Sequence, residues 1–347
     1  MSDIEIRNVY KIFGPEAERH IGAVKAGMTK TDLNDRHNHV LGLYDINLTI
    51  PQGKITVIMG LSGSGKSTLI RHINGLIRPT SGEVLYDGRD VVTMSPSELR
   101  AYRREKTAMV FQKFALLPHR TVLENAAYGL DIRGVPRAEA ESRARHWIDR
   151  VGLAGYEDYY PRQLSGGMQQ RVGLARALCN DTEILLMDEA FSALDPLIRV
   201  DMQTILLELQ KELGKTIIFI THDLDEALRL GDKIAVLRDG AIQQVGTGQE
   251  IVLRPATSYI ADFVREVNRG RILTARTIAV PLPEGEEPPA FVVRAEARLD
   301  LVARQMTREG VAHARVRDRQ GACLGVIDLP AILDAMVNPA DVAAEAD

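Results

Sequence analysis

The segment Gly60-Leu61-Ser62-Gly63-Ser64-Gly65-Lys66-Ser67-Thr68 constrains the fold of this chain more than any other stretch. It satisfies the phosphate-loop pattern G-x-x-x-x-G-K-[ST] at every specified position. Before it, Lys54-Ile55-Thr56-Val57-Ile58-Met59 is apolar and β-rich and reads as a buried strand. After it, Thr68 to Leu76 carries apolar residues at helical spacing. Strand, glycine turn and helix start form the setting in which backbone N–H groups close around phosphate oxygens and the helix N-terminus adds a favourable dipole. In such a loop Lys66 reaches the β- and γ-phosphates of a nucleotide, and Ser67 holds Mg²⁺. An ordinary glycine-rich turn with a chance lysine would not need that strand and that helix on either side.

The chain is 347 residues long, enough for one large domain and a smaller one, or for two of ordinary size. Hydrophobic residues at 45% and charged residues at 26% are globular proportions. A net charge of −4 gives no general attraction to nucleic acid, so no nucleic-acid partner is expected. Cys179 and Cys323 are the two cysteines; they make neither a disulfide framework nor a metal cluster, which suits a reducing compartment. The N-terminal residues lack the basic and apolar regions of a signal peptide, and no run of about 18 apolar residues occurs. Any membrane role is expected to pass through a partner.

Along the chain, Ile4 to Phe13 alternates apolar and polar, as a half-buried strand does. Residues 15–38 are polar and read as an inserted surface segment with one helix. Thr121 to Val151 turns helical. Ile184-Leu185-Leu186-Met187 is a continuous apolar run, the mark of a strand buried on both faces, and Thr216-Ile217-Ile218-Phe219-Ile220 reads as another buried strand. Strands alternating with helices predict a mainly parallel α/β sheet covered on both sides. The pattern weakens over 245–280, and Pro281 to Pro289 has linker composition. A small unit follows, with strands at 290–294, 312–317 and 323–327 and helices at 297–309 and 329–337.

Further segments narrow the chemistry. Asp188 and Glu189 end a buried strand, so both carboxylates lie at the sheet edge where ligands bind. Asp188 is placed to hold Mg²⁺ and Glu189 to polarise an attacking water. Leu164-Ser165-Gly166-Gly167-Met168-Gln169-Gln170 opens a helix; Ser165 suits its N-cap, and Gly166 and Gly167 permit close approach to an anion. The basic segment Arg100 to Lys106 reads first as a solvated helix face, and His37 with His39 is a thin basis for a metal site.

These motifs, in this order, resemble the ATP-binding subunits of ATP-binding-cassette (ABC) transporters over residues 4 to about 245. On that resemblance Gly60–Thr68 is the Walker A loop, Leu164–Gln170 the signature, Ile184–Asp188 the Walker B strand and Glu189 the catalytic base. Gln112 fits the Q-loop, sensing Mg²⁺ and the membrane partner; Asp195 lies in the D-loop; His222 is the switch histidine; Phe13 is the adenine-stacking aromatic. Met168 stands where the signature has Gln. The resemblance implies a P-loop NTPase fold with a RecA-like core and a helical subdomain, ATP and Mg²⁺ as cofactors, and a head-to-tail homodimer. In that dimer each ATP lies between one subunit's Walker A loop and the other's signature. It further implies integral-membrane permease subunits, an external substrate-binding protein as indirect partner, and a place on the cytoplasmic face of the plasma membrane.

Several stretches, Met187 to Arg199 and the 15–38 insert among them, are similar to the subfamily that imports glycine betaine, choline and proline betaine. Quaternary amines are the expected cargo, choline the preferred one. The expected domains are 1–275 for the ATPase, 276–289 for a linker and 290–347 for a single CBS-like regulatory or dimerising module. A soluble cassette ATPase of DNA repair or translation would be expected to carry a coiled-coil insertion or a second cassette. A nucleotide-sensing scaffold would not need the complete catalytic set.

Overall fold

A computed structural model describes residues 3–112, 114–192, 194–282 and 287–337. The chain divides into two compact units, Met1–Val245 and Gly246–Asp347. The strands of the first unit are β1 (Ile4–Phe13), β2 (Val40–Ile50), β3 (Ile55–Met59), β4 (Ser81–Tyr86), β5 (Arg89–Asp90), β6 (Thr107–Val110), β7 (Ile184–Asp188), β8 (Thr216–Thr221), β9 (Lys233–Arg238) and β10 (Ala241–Gly246).

Two sheets result. One has the order β10-β9-β3-β8-β7-β6. Its pairs β3–β8, β3–β9, β7–β8 and β6–β7 are parallel. Every residue of β3, β7 and β8 is buried, as their unbroken apolar runs require. The other sheet, β2-β1-β4-β5, is antiparallel, so the expectation of a mainly parallel sheet holds for only one of the two. The alternation of β1 slips between Ile6 and Val9, where Asn8 adopts a left-handed φ of 46° and the register shifts. The core between the sheets joins Ile4, Ile46 and Val84 to Ile58, Leu69 and Ile220.

The 15–38 insert is more structured than one helix. It has a 3₁₀ turn, Ala17–His20, and helices Ile21–Lys25 and Lys30–His37. Ala17, Val24 and Leu33 bury against Tyr10, Ile12 and Leu41. Three widely spaced buried residues among many polar ones are too few to show helical periodicity. His39 closes the insert: its ring nitrogens lie 2.6 Å from the His37 carbonyl oxygen and 2.7 Å from that of Pro15. Those contacts occupy both nitrogens, and among the described residues no group of three or more His, Cys, Asp or Glu is arranged to hold a metal.

The helical stretch 121–151 is two helices, Val122–Ile132 and Arg137–Arg150, parted at Gly134 with φ 72°. With the helix Gly166–Cys179 they pack into a helical layer.

The boundary between the two units differs from the expected domain limit. It falls at Val245/Gly246 rather than near 275 because Leu273 and Ala275 are wholly buried with Val293, Leu299 and Ile327. Residues 246–278, where the sequence pattern fades, form the short helices Gly248–Leu253, Ser258–Val264, Arg269–Ile272 and Ala275–Ile278. The expected linker is partly ordered: Val280 and Val326 exchange backbone hydrogen bonds of 3.0 and 2.8 Å. Residues 283–286 of the linker and 338–347 of the module lie outside the described residues. Strands β11 (Val292–Arg294), β12 (His313–Arg317) and β13 (Cys323–Asp328), with helices Leu299–Glu309 and Leu329–Met336, follow the strand-helix-strand-strand-helix reading. Asp328, at the N-cap of the last helix, accepts a hydrogen bond from the Ala331 N–H. Among the described residues no helix is long and apolar enough to cross a membrane.

Candidate functional site

Strand register assembles the site. Met59 pairs with Thr221, Asp188 with Ile220, and Val110 with Met187. The residues just beyond these strand ends, Gly60, Glu189, His222 and Gln112, therefore reach one edge of the parallel sheet, the carboxyl edge where α/β proteins bind ligands.

The loop Gly60–Gly65 leads from β3 into the helix Lys66–Ile73. Glycine is required at its two ends. A Cβ on Gly60 (φ 153°) would lie 2.2 Å from the Leu237 carbonyl oxygen, and one on Gly65 (φ 100°) 2.8 Å from that of Gly42. The buried Ser64 hydroxyl has no hydrogen-bond partner inside the loop, a polar group left for a ligand. Leu61 is exposed at the tip, with Ser62 and Gly63 beside it. Thr68 lies in the first turn of the helix, and its carbonyl oxygen is 2.6 Å from His72 Nδ1.

Lys66 is 4% exposed. Its Nζ donates to the carbonyls of Gly60 (2.8 Å) and Leu61 (3.1 Å) and lies 3.5 Å from Glu189 Oε1. On the other carboxylate oxygen, Gln112 Nε2 donates at 3.0 Å and His222 Nδ1 lies at 3.5 Å. Glu189 thus stands between Lys66, Gln112 and His222. Its backbone is held in a left-handed conformation, φ 47°. The Glu189 N–H donates to the Ile220 carbonyl (3.1 Å), and the Ser192 N–H and hydroxyl donate to the Glu189 carbonyl (3.2 and 2.9 Å). The left-handed turn separates the side-chain directions of Asp188 and Glu189 so the neighbouring carboxylates can serve different partners.

Asp188 accepts a hydrogen bond from the Ser67 hydroxyl (2.8 Å) and lies 3.8 Å from Arg71. Burial pushes its carboxyl above the ordinary aspartate range, against the opposing pull of Ser67 and Arg71. The Mg²⁺ implied by such loops fits here. Ser67 and Asp188 are an all-oxygen donor pair, and Mg²⁺ characteristically takes one or two protein ligands, completing its shell with phosphate and water oxygens. Among the described residues no hydrogen bond joins Gln112 to that pair; its amide lies on Glu189.

Phe13 is 40% exposed, and its ring covers Gly42, whose carbonyl approaches Gly65. An accessible aromatic face therefore flanks the phosphate loop. Tyr10 is buried edge-on against Tyr44, ring centroids 5.4 Å apart, and is a core residue.

Ser165 caps the helix Gly166–Cys179 by accepting from the Met168 N–H (3.3 Å). Gly166 and Gly167 form its first turn, beside Phe114 and beside Leu194 and Ile198. No hydrogen bond or ion pair among the described residues links Ser165, Gly166 or Gly167 to Lys66, Asp188 or Glu189. Asp195 is exposed at the start of the helix Pro196–Leu213. The structure thus brings Lys66, Ser67, Gln112, Asp188, Glu189 and His222 together and leaves the signature segment apart. Sequence reasoning overlooked Arg71 and Gly42. Arg71 was accessible from its spacing, since it follows Ser67 by four residues on one helix face and shares its partner Asp188. Gly42 could not be found without the fold.

The ABC transporter family model matches residues 43–192. The chain is 48% identical over 324 residues to the glycine betaine transport ATP-binding protein OpuAA of Bacillus subtilis, covering 93% of this chain and 76% of that one. It is 45% identical over 337 residues to the glycine betaine/proline betaine transport system ATP-binding protein ProV of Escherichia coli, covering 96% and 83%. The trimethylamine N-oxide transport system ATP-binding protein TmoW of Ruegeria pomeroyi is 45% identical over 335 residues, covering 96% and 97%. Among solved structures, a dimeric bacterial ABC transporter cassette aligns with TM-score 0.61 and 34% identity, over 71% of this chain and 98% of that one. A post-hydrolysis dimer of a cassette bound to ADP and phosphate aligns with TM-score 0.61 and 33% identity, over the same shares of 71% and 98%. The loop, the carboxylates and these likenesses agree, and the chain belongs to the ATP-binding subunits of ABC transporters as an ATPase of that family.

Proposed function

We propose that this ATPase drives import of small, fully N-methylated solutes, with glycine betaine foremost. It works as a homodimer on the cytoplasmic face of the plasma membrane, bound to permease subunits that receive cargo from an external binding protein. The observation that carries the hydrolytic reading is the convergence of Lys66, Gln112 and His222 on Glu189 beside the Ser67–Asp188 pair. The cargo class rests on the relatives, whose names include glycine betaine, proline betaine, carnitine and trimethylamine N-oxide. Choline is in none of those names and becomes the second candidate.

In this reading the backbone N–H groups of Gly60 to Thr68 seat the phosphates and Phe13 stacks on the adenine. Lys66 leaves its two carbonyls for the γ-phosphate. Ser67 and Asp188 hold Mg²⁺, which when bound neutralises phosphate charge. Glu189 takes the proton of the attacking water, and His222 faces the γ-phosphate. Ser165, Gly166 and Gly167 have no bond to their own chain's cluster, which supports their serving the site of a second copy across the Asp195 turns. Gln112 directly follows Phe111, which with Arg100, Arg103, Met109 and Arg176 lines a groove of about 670 Å³ taken as the permease seat. The module after 290 is a CBS-like dimerising or regulatory unit.

The test is ATP hydrolysis by the subunit with its permease in liposomes, with binding protein loaded by glycine betaine, choline or nothing. Stimulation by one loaded cargo supports import and names it. Hydrolysis indifferent to every such solute removes the cargo assignment and leaves the ATPase.

A further inference from the structure

We propose that Arg199 is a positioning residue of the hydrolytic centre, tying the turn at Leu194–Asp195 to the turn that carries His222. The inference rests on the reading of Glu189 and His222 given above. Arg199 lies in the first turn of the helix Pro196–Leu213, its N–H donating to the Asp195 carbonyl at 2.8 Å. Its guanidinium then bridges two loops: one NH₂ donates to Asp223 Oδ2 (3.1 Å), the other to the Leu194 carbonyl (3.4 Å). Nε is buried without a partner, so the group is held by its fork alone.

Asp223 is well placed to pass that constraint on. Its other oxygen accepts the Glu226 N–H (3.0 Å), its own N–H donates to Thr221 Oγ1 (2.9 Å), and His222 lies between the two anchors. One helical turn after Arg199, Gln203 donates to Glu226 Oε1 (3.0 Å), so one face of the long helix grips the start of the helix Leu224–Leu230 twice. A closed ring follows. The Ser192 hydroxyl holds the Glu189 carbonyl, the Leu194 N–H returns to the Phe191 carbonyl at 3.2 Å, Arg199 joins Leu194 to Asp223, and His222 returns to Glu189 at 3.5 Å. His222 is itself half-exposed, so its aim depends on the backbone on either side.

The pair Arg199–Asp223 is about one-third exposed, which makes its bare Coulomb attraction a minor contributor. The planar fork matters more, since one rigid group fixes two loops in one geometry. A movement of the Leu194–Asp195 turn would then reach His222 without passing through the nucleotide.

The experiment compares R199M, R199K, D223N and the double variant R199M/D223N in the permease-bound complex, reading kcat, KM for ATP and Tm. Asn at 223 keeps the helix cap and discards the charge. R199M is expected to lower kcat about tenfold with KM within about twofold, the mark of lost alignment at the reacting centre. R199K recovers part of kcat, and the double variant falls no further than R199M because the residues act as one link. Unchanged kcat in R199M, multiplicative losses in the double variant, or parallel loss of kcat, KM and Tm would overturn the proposal. If R199M does not fold, D223N alone carries the test. E189Q, measured alongside, separates the two readings. Rapid turnover by E189Q removes the assigned base and with it the inference; a stalled E189Q beside a normal R199M removes only Arg199.

Discussion

Replacing Glu189 by Gln keeps the shape of the side chain and removes both its charge and its basicity. Two opposite effects follow. The carboxylate is 15% exposed and faces the mouth of the loop where the γ-phosphate must arrive. Two unit charges about 5 Å apart at an effective dielectric of about 20 repel by about 3 kcal/mol. Water at the open mouth screens part of this, leaving about 1–2 kcal/mol, or five- to thirtyfold tighter ATP binding in the variant. Lys66 also loses the partner at 3.5 Å that competes for it, which acts in the same direction. Turnover moves the other way, because no group remains to take the water's proton; the loss expected from removing a general base is about a hundred- to ten-thousandfold. Equilibrium binding of a fluorescent ATP analogue and single-turnover hydrolysis of labelled ATP read the two effects separately. The predicted signature is tighter binding with stalled hydrolysis. Hydrolysis within about threefold of the parent would refute proton abstraction by Glu189. Weaker binding would refute the electrostatic account of the site even if hydrolysis stalled.

Gly42→Ala would set a Cβ 2.6 Å from Phe13 Cε2 and displace the ring. KM for ATP should rise about three- to tenfold with kcat nearly constant, and steady-state kinetics with unchanged KM would contradict the stacking role. Asp188 is an acid whose folded-state pKa is raised by burial. The folded state therefore holds its proton more tightly than the unfolded chain. Its contribution to stability is full below the unfolded pKa and is lost as pH rises through the folded one. Asp188→Asn should stabilise the nucleotide-free protein at neutral pH by about 1 kcal/mol while abolishing hydrolysis, and the gain should shrink on acidification. A lowered Tm at neutral pH would count against this. His39→Ala removes the two contacts that close the insert and should cost about 1–3 kcal/mol. Hydrogen exchange should accelerate over residues 15–39 and not in the parallel sheet; uniform acceleration would show that the clasp is not local.

The legible part of the fold was that in which one residue pattern serves one environment. Ile184–Met187 and Ile217–Ile220 are apolar throughout because both faces of β7 and β8 are covered, so their burial was plain in the sequence. The phosphate loop was legible for the same reason, since the close approaches at Gly60 and Gly65 leave no freedom of residue type. What stayed hidden depended on distant partners. The antiparallel sheet brings β2 and β4 to β1 across gaps that carry no local mark, and the Asn8 irregularity interrupts its alternation. Residues 246–278 make helices of four to seven residues, too short to display a period, and so passed for a fading pattern. Leu273 and Ala275 belong to the second core only because Val293 and Leu299 come to meet them. At the site, Lys66, Ser67, Gln112, Asp188, Glu189 and His222 were singled out in the sequence, whereas Arg71, Gly42 and the convergence on Glu189, set by parallel register, were not.

That convergence bears on how the nucleotide enters. A lysine as buried as Lys66 cannot stand without acceptors, and here two carbonyls and Glu189 supply them. The Asp188 carboxylate is likewise engaged by Ser67, the residue assigned to share Mg²⁺ with it. For Lys66 and Asp188, binding of nucleotide and metal is therefore an exchange of partners, whereas the buried Ser64 hydroxyl stands without one. The signature segment stands differently. The Ser165 hydroxyl oxygen accepts from its own helix, and Gly166 and Gly167 present backbone with no side chain in the way. A single chain thus carries Lys66, Ser67, Asp188 and Glu189 at the edge of one sheet and the Ser165–Gly167 segment on a separate helical layer. Because Lys66 and Asp188 give up partners on binding, the proposed closure of a second copy's Ser165–Gly167 segment on the nucleotide would add contacts that the single chain's cluster does not supply.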